Sequence, residues 1–333
     1  LNQMSFNKKI FFDNDITLDY VIGKTIGVIG YGNQARAQAN NLKDSGCNVI
    51  VGLKPKSPSE EKVLKDGLEH FQLDEVFAKA DIISVLIPDN NIPKFLSDHT
   101  SNIKKGQTLL FSHGYSIVYG DLKIPNNINV IMVAPSGGGK IVRNEFKKGF
   151  GVPALVAVEK DYSGQSFNIA LSYAKAIGSS RAAVFLSTFK EETETDLFGE
   201  QVILTGSIPL IIIESYKVLL EEGYSPIVSW FVCFYELKTI VDLMFENGLF
   251  SFYNMISNTA RYGGVTRGAR LIDSDFKDKI RSILYDIKSG KFKDELDSSL
   301  SKGDDGRLSL KEIFNSKDFD FMEKELLKKI KKN

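Results

Sequence analysis

Short apolar runs alternate with amphipathic stretches through the first half of the chain. The runs are rich in β-branched residues, and several are apolar throughout, which is typical of parallel strands covered on both faces. Helical spacing fills the intervals, as in Asn33–Ser45 and Pro58–Gly67. This alternation predicts a doubly wound α/β sheet. Six strands are expected: Thr25–Ile29, Asn48–Gly52, Ile82–Ile87, Thr108–Ser112, Val130–Ala134 and Ala154–Val158.

The pattern changes near Phe185. From Lys190 onward the apolar residues recur at helical spacing and strand signals are few. We therefore predict an α/β domain over residues 1–187 and an all-helical domain over residues 188–333. The helical segments expected in the second domain are Glu191–Thr205, Ile208–Glu222, Pro226–Asn247 and Asp275–Ser289.

Composition excludes several classes of protein. Forty-two basic residues balance forty-two acidic ones, so a nucleic-acid partner is not expected. The two cysteines, Cys47 and Cys233, lack metal-type spacing, which argues against a zinc site and favours a reducing compartment. The apolar stretch near Ile208–Ile213 is too short to span a bilayer, and the first residues lack the apolar region of a signal peptide. We expect a cytoplasmic protein without a membrane partner.

A glycine-rich loop follows the first predicted strand. Gly30, Gly32 and Ala35 fit the G-x-G-x-x-G/A pattern of dinucleotide-binding loops, between a strand and a helix. The first glycine permits the tight turn, the second lets a pyrophosphate approach, and the alanine allows close packing of helix on strand. The alternative is a plain glycine-rich turn. The predicted cofactor contacts in the loop are Gly30, Tyr31, Gly32, Asn33 and Gln34.

The end of the second predicted strand indicates which dinucleotide binds. In NAD-binding proteins an acidic residue at this position forms a hydrogen bond with the ribose. This chain instead has a polar segment with two lysines and two serines. Lys54, Ser57 and Ser59 suit the 2′-phosphate of NADP. The alternative is a solvated polar loop. We expect NADP(H).

Three carboxylates share one face of a predicted helix. Glu192, Asp196 and Glu200 are spaced four residues apart. Stacked like charges repel unless a cation or solvent offsets them, and Mg²⁺ prefers carboxylate oxygens. Spacing alone favours a solvated acidic face over a metal site.

The same segment, Thr188–Gln201, resembles the K-E-E-T-E-T-D-L-F-G-E-Q signature of ketol-acid reductoisomerases. The resemblance runs from about Ile10 to about Leu296, and the length fits the short class with a single helical domain. The other matching segments, in chain order, are Gly30–Gln34, Phe111–Gly114, Val130–Pro135, Gly149–Leu155, Glu236–Lys238, Asp242–Met244 and Ile256–Ala260.

The resemblance implies both a fold and a reaction. Members of this family have a Rossmann domain followed by a knotted helical domain that interlocks with a second subunit, and the active site is completed across the dimer. Their reaction converts a 2-hydroxy-2-alkyl-3-oxo acid, such as 2-acetolactate, into a 2,3-dihydroxy acid, in valine and isoleucine synthesis. Two Mg²⁺ ions polarise the oxygens, an alkyl group migrates, and NADPH reduces the ketone.

The resemblance also assigns roles to residues. Asp196 would bridge both metals, Glu200 would bind the first, and Glu236 would serve the second metal from the other subunit. His113 would lie beside the nicotinamide and substrate; the alternative is a structural core histidine. Ser257 would hold the substrate carboxylate; the alternative is a helix cap. Further predicted cofactor contacts are Pro88, Asp89 and Gly139.

Two departures from the family pattern affect the chemistry. Val232 stands where the family has a metal-binding glutamate, and Ser136 stands where it has a lysine. A valine cannot bind a metal, and hydride transfer needs less charge stabilisation than alkyl migration. The sequence therefore favours an NADPH-dependent reductase of a small 2-keto acid or imine, with isomerase activity doubtful. The alternatives are a working ketol-acid reductoisomerase and a non-catalytic dinucleotide-binding protein. Smaller departures are Ala35-Arg36, Tyr235 and Arg261.

Overall fold

A computed structural model describes residues 9–313 and 317–330. The chain forms two compact units, Leu1–Thr193 and Glu194–Asn333. The division falls inside a helix that begins at Phe189, a few residues after the boundary predicted at 187.

A nine-stranded sheet forms the first unit. Its order is β1-β9-β8-β7-β6-β5-β2-β3-β4, and all pairs are parallel except β1–β9 and β7–β8. The predicted strand Ala154–Val158 thus corresponds to a strand that runs antiparallel to its neighbour β7. The strands are β1 Ile10–Phe11, β2 Thr25–Ile29, β3 Asn48–Leu53, β4 Glu69–Gln72, β5 Ile82–Val85, β6 Thr108–Phe111, β7 Asn129–Pro135, β8 Ala154–Lys160 and β9 Val184–Leu186.

Strands β4, β3, β2, β5, β6 and β7 stand in the order of a Rossmann sheet. The strand order reverses at β2, which lies between β3 and β5, and ligands of such sheets bind beyond the carboxyl ends of the strands at this reversal. The helices of this unit are α1 Asn33–Asp44, α2 Glu60–Lys65, α3 Leu73–Lys79, α4 Ile92–His99, α5 Tyr115–Tyr119, α6 Gly139–Lys147 and α7 Ser166–Ala176.

The core lies on both faces of the sheet. Successive residues of a strand alternate between two buried clusters, as Val28 and Ile29 do on β2 and Leu109 and Leu110 do on β6. This alternation explains why the central strands are apolar throughout. The packed layers fix the strand ends from which the functional loops emerge.

Helices build the second unit, as predicted. Two of the predicted helices, however, contain a π-helical turn: Glu191–Thr205 changes at Glu200–Leu204, and Pro226–Asn247 changes at Phe231–Tyr235. The α-helices from the unit boundary onward are α8 Phe189–Gly199, α9 Ser207–Glu221, α10 Pro226–Trp230, α11 Glu236–Asn247, α12 Asn258–Leu271, α13 Ser274–Lys288, α14 Lys291–Ser301, α15 Arg307–Ile313 and α16 Lys317–Ile330.

The helical run Phe189–Glu221 covers 33 residues and is long and apolar enough to cross a membrane by length and composition alone. It is the one such run among the residues that the structure describes. A single run of this kind is weak evidence for a membrane span, because core helices of soluble proteins pass the same test. This run also carries Glu192, Asp196 and Glu200, and charged residues are rare inside a bilayer.

Candidate functional site

The glycine-rich loop leaves β2 and turns directly into α1. Gly30 has φ of +87°, a conformation that only glycine adopts readily, and its amide donates to the carbonyl of Gly52 at 3.0 Å. Gly32 has open space where a side chain would stand. Ala35 is fully buried under the first turn of α1. The amides at the start of α1 and this open space form a site that an anion can approach.

A cleft of about 280 Å³ lies on one side of the loop, and we call it the lysine–serine cleft. Its walls include the predicted cofactor residues Gly30, Tyr31, Lys54, Ser57, Ser59 and Pro88. Lys54 is the first residue after β3, and the amide of Ser59 donates to Oγ of Ser57 at 3.3 Å. This bond holds the Ser57 side chain against the backbone of Ser59. The cleft presents a cation and two hydroxyls, which match a phosphate.

A second cleft, of about 300 Å³, lies on the other side of the loop, and we call it the histidine cleft. It is lined by the predicted residues Gly32, Asn33, Gln34, Pro88, Asp89 and His113. Pro88 lines both clefts. The two clefts therefore follow one path over the switch point, from the lysine–serine side to His113.

His113 is held by a buried carboxylate. Its Nδ1 lies 2.8 Å from Oε1 of Glu192, and the amide of Gly114 donates to Oε2 of Glu192 at 2.8 Å. Gly114 must be glycine, since a Cβ there would come within 2.6 Å of the carbonyl of Phe189. The start of α8 thus packs against the His-Gly pair, and this contact lets Glu192 orient the imidazole ring.

Gly139 packs against the backbone of the glycine-rich loop. A Cβ at Gly139 would lie 2.0 Å from the carbonyl oxygen of Asn33, so α1 and α6 meet at their first residues. Nearby, Nε2 of Gln34 donates to the carbonyl of Gly137 at 2.6 Å. Gly139, predicted as a cofactor contact, is buried and packs against the loop backbone. Its direct contact with a cofactor stays a prediction.

Tyr31 is tied to the end of α2. Its hydroxyl donates to Oδ2 of Asp66 at 2.8 Å, and Arg36 donates to both carboxylate oxygens at 2.6 and 2.8 Å. The hydrogen bonds from Arg36 hold the pKa of Asp66 well below its usual range. Burial, with the neighbouring Asp66 carboxylate, raises the pKa of the Tyr31 hydroxyl. Arg36 thus helps to hold the tyrosine of the glycine loop.

The predicted metal carboxylates lie in the second unit. Asp196 is one turn after Glu192 on α8, and Glu200 begins the π-turn that follows α8. Glu236 is the first residue of α11, directly after the π-turn that contains Val232. The side chain of Val232 is exposed to 44%. Asp196, Glu200 and Glu236 are exposed too, as carboxylates that bind a cation from solvent need to be.

Ser257 is the N-cap of α12. Its Oγ accepts the amide hydrogen of Ala260 at 3.1 Å, the helix-cap arrangement that was the alternative reading of this residue. Its contact with a substrate stays a prediction. Ser136 is exposed after β7, and its amide donates to the carbonyl of Pro153 at 2.8 Å.

Two further residues, Lys94 and Gln38, were not predicted from the sequence, and Glu192 has a partner that was not predicted. Glu192 was predicted to lie on the acidic face, but it pairs with His113. The sequence signals for this pairing were the His-Gly segment and an acidic residue in the first turn of a later helix. Lys94 adds a second lysine to the lysine–serine cleft, and no sequence pattern marks it. Gln38 is fully buried, and a polar residue between Ala37 and Ala39 in a helix was its signal.

The sheet order, the glycine loop on a helix N-terminus and the two clefts at the switch point define a dinucleotide-binding domain. Comparison with known proteins narrows this class. The family model described as "Acetohydroxy acid isomeroreductase, NADPH-binding domain" matches residues 20–183, and "Ketol-acid reductoisomerase, C-terminal domain" matches residues 189–330. The chain belongs to the ketol-acid reductoisomerase family.

Individual relatives agree with this assignment. The ketol-acid reductoisomerase (NADP(+)) of Methanocaldococcus jannaschii is 49% identical over 288 residues, 86% of this chain and 87% of that protein. That of Methanopyrus kandleri is 45% identical over 306 residues, 92% of each chain. A solved NADH-preferring ketol-acid reductoisomerase from an uncultured archean has a TM-score of 0.91 and 36% identity, covering 96% of this chain and 98% of that one.

Proposed function

We propose that this chain is an NADP(H)-dependent reductase of the ketol-acid reductoisomerase family, acting on a small 2-keto acid or imine, in which alkyl migration is lost. The contrast between the two units carries the proposal. The clefts of the first unit bring together the glycine loop, a lysine, two serines and a histidine, whereas the exposed Val232 adds no carboxylate to the helix of Glu236.

The choice of NADP(H) rests on the lysine–serine cleft. Lys54 and the hydroxyls of Ser57 and Ser59 offer a positive charge and hydrogen-bond donors to a 2′-phosphate. The two archaeal relatives named above are NADP(+) enzymes by name, while the solved archaeal structure is of an NADH-preferring enzyme. Members of this family therefore differ in cofactor, and in this chain the residues of the cleft favour the phosphorylated one.

The reduction itself needs an oriented cofactor and a proton donor. When bound, reduced nicotinamide supplies a hydride to the carbonyl or imine carbon of the substrate. The carboxylate of Glu192 keeps a proton on Nδ1 of His113, so Nε2 is the ring atom that exchanges a proton with the substrate. The histidine cleft brings His113 and the glycine loop to one place, which allows both transfers.

One Mg²⁺ site fits the residues present. Asp196 and Glu200 supply hard oxygen ligands one turn apart, and a bound Mg²⁺ would polarise a substrate oxygen. A second site would depend on Glu236 with Val232 beside it. Loss of one full negative charge weakens a site for a strongly hydrated cation. Alkyl migration uses both metals, so it is the activity that this loss affects most.

A full ketol-acid reductoisomerase is the second candidate. Identity of 49% over most of the chain to a protein of that name favours it. In that case another group or water takes the place of the missing carboxylate at Val232 and the missing lysine at Ser136.

We further propose that the chain works as a homodimer or larger homo-oligomer in the cytoplasm. The second unit exposes large apolar side chains, including Phe245 at 90% and Phe250 at 88%, which a second copy would cover. The two cysteines, Cys47 and Cys233, are both free thiols, as expected in a reducing compartment.

The test is NADPH oxidation by the purified protein with Mg²⁺, on two substrates in parallel. One is 2-acetolactate, which must rearrange, and the other is 3-hydroxy-3-methyl-2-oxobutanoate, the rearranged ketone. Turnover of only the ketone supports the proposal. Turnover of both makes the protein a full ketol-acid reductoisomerase. NADPH binding without turnover of either, or of other 2-keto acids and cyclic imines, indicates a non-catalytic dinucleotide-binding protein.

A further inference from the structure

A chain of hydrogen bonds runs through the core of the first unit. Oγ of Ser84 on β5 donates to the hydroxyl of Tyr173 on α7 at 3.0 Å, and this hydroxyl donates to Oε1 of Gln38 on α1 at 3.0 Å. All three side chains are completely buried. Burial of a polar group costs free energy unless the group is hydrogen-bonded. Three buried polar side chains in succession are therefore stable only because each is hydrogen-bonded to the next.

This series of hydrogen bonds continues to the histidine cleft. Nε2 of Gln38 donates to Oγ of Ser112 at 3.0 Å and to Oε1 of Gln34 at 3.3 Å. Both of these residues line the histidine cleft. Gln34 belongs to the glycine loop, and Ser112 directly precedes His113. Gln38 therefore links the two walls of the cleft from beneath.

The carbonyl of Gly137 fixes the direction of every bond. A carbonyl oxygen only accepts, so the amide nitrogen of Gln34 must face Gly137, at 2.6 Å. The amide oxygen of Gln34 then faces Gln38 and accepts from its nitrogen. The oxygen of Gln38 is left for the Tyr173 hydroxyl, and that hydroxyl accepts from Ser84. A flip of Gln34 alone would break two bonds, and a flip of Gln38 alone would break its bond to Gln34.

This direction determines what Ser112 can do. Ser112 uses a lone pair to accept from Gln38, so its hydroxyl hydrogen points to another partner. Ser112 lies at the end of β6, partly exposed, in the wall of the histidine cleft. We propose that Ser112 donates a hydrogen bond to a carbonyl oxygen of the ligand in this cleft, and that Gln38 and Tyr173 are its positioning residues.

The proposal rests on the proposed binding of a nicotinamide dinucleotide. Two ligand carbonyls fit an uncharged hydroxyl donor: the carboxamide of the nicotinamide and the ketone of the substrate. The two are separable, because 2′-phospho-ADP-ribose is NADPH without its nicotinamide. Removal of the donor affects binding of NADPH but not of this fragment if the carboxamide is the acceptor.

The experiment uses the full chain and the variants S112A, S112T, Y173F and S172A. Ser172 neighbours Tyr173 on α7 and is buried, but its Oγ donates to the carbonyl of Thr17 at 2.6 Å, away from the cleft. S172A thus controls for loss of a buried hydroxyl. Fluorescence titration gives Kd for NADPH and the fragment, and steady-state assays give kcat and KM for whichever ketone is turned over.

We expect S112A and Y173F to raise Kd for NADPH about three- to tenfold, with Kd for the fragment unchanged. S112T, which keeps a hydroxyl, restores most of the affinity, and S112A/Y173F is no worse than S112A alone because both act on one bond. A fall in kcat/KM at unchanged Kd for NADPH assigns the bond to the substrate ketone instead.

The proposal is overturned if S112A leaves both Kd and kcat/KM unchanged, or if S172A has the same effect as Y173F. It is also overturned if the fragment loses as much affinity as NADPH, since that indicates general damage to the loop. Failure of the wild-type chain to bind NADPH is a different result, because it refutes the proposed function itself.

Discussion

Oε1 of Glu192 lies 2.8 Å from Nδ1 of His113, and the same carboxylate accepts the amide hydrogen of Gly114. The first of the three carboxylates on the acidic face is therefore turned toward a histidine and is almost fully buried. The repulsion expected of three stacked charges is reduced, because His113 and the amide of Gly114 form hydrogen bonds with Glu192. Asp196 and Glu200 remain the predicted ligands of a cation.

Replacement of Glu192 by glutamine should impair hydride transfer. A glutamine keeps its size but, with its oxygen on the Gly114 amide, it presents an NH₂ group to the protonated Nδ1 of His113. The imidazole then changes tautomer or moves, and we expect kcat to fall about 10- to 100-fold. Turnover at saturating NADPH measures this. E191Q, at an exposed position bonded to Ser187, is the control, and an equal loss there would contradict the role of Glu192.

Asp66 should make stability depend on acid pH. Its pKa is lowered in the folded state, so its contribution is present above about pH 4, its unfolded value, and disappears as pH falls through the folded pKa. We expect D66N to lower Tm by about 2–4 °C at pH 7, and this difference to shrink progressively as pH falls below the unfolded pKa of Asp66. Scanning calorimetry measures both, and D278N, which breaks an exposed pair with Arg281, serves as the control. A constant difference at all pH values would refute the prediction.

Lys54 should determine cofactor preference. Removal of its charge weakens a charge-assisted hydrogen bond to the 2′-phosphate but changes nothing for NADH, which lacks that phosphate. We expect K54A to lower affinity for NADPH about tenfold and to leave affinity for NADH unchanged. Fluorescence titration with both cofactors measures this. K62A, an exposed lysine on α2, should change neither, and equal losses for NADPH and NADH in K54A would disprove the role.

Gly139 and Gly138 should respond differently to alanine. A Cβ at Gly139 meets the carbonyl of Asn33 at 2.0 Å, while one at Gly138 meets nothing within 4 Å. We expect G139A to cost about 1–3 kcal/mol or more and to weaken NADPH binding, because α1 must shift away from α6. G138A should be close to wild type. Urea unfolding and NADPH titration compare the two, and similar behaviour of both variants would contradict the packing seen here.

A carboxylate at position 232 should restore metal-dependent chemistry. Val232 is exposed to 44%, so a glutamate can be placed there at little cost in stability. We expect V232E together with S136K to raise Mg²⁺-dependent turnover of 2-acetolactate above that of the unchanged chain, since the variant regains a charge and a ligand. The measurement is NADPH oxidation against Mg²⁺ concentration. Full activity of the unchanged chain would falsify the proposed loss of migration.

The sequence predicted the strands that have a strong apolar pattern and not the others. The central strands β2 and β6 start where predicted, because short apolar runs buried on both faces have few other structures available. Strand β4, Glu69–Gln72, is mostly polar and was not expected, and neither were the short strands β1 and β9. These three strands depend on pairing with a neighbouring strand, which a local pattern does not show.

For the site, sequence order predicted what lies near β2 but not what crosses from other elements. The loop from Gly30 to Gln34 and the segment from Lys54 to Ser59 are local in sequence, and both line the clefts. The pairing of Glu192 with His113 joins residues 79 positions apart, and the bond from Tyr173 to Gln38 joins residues 135 apart. Such contacts follow from the order of strands in the sheet, which the sequence pattern does not specify.

The two π-turns have a consequence for how this site changes over time. A π-turn contains one residue more than an α-turn, and such turns occur frequently at functional sites. Since an α-helix rotates about 100° per residue, deletion of one residue from Phe231–Tyr235 would swing Glu236 by that angle about the helix axis. The direction in which Glu236 points therefore depends on the number of residues in this turn as much as on their identity. A helix of this kind can lose or regain a ligand by an insertion or deletion, although the ligand residue itself is retained.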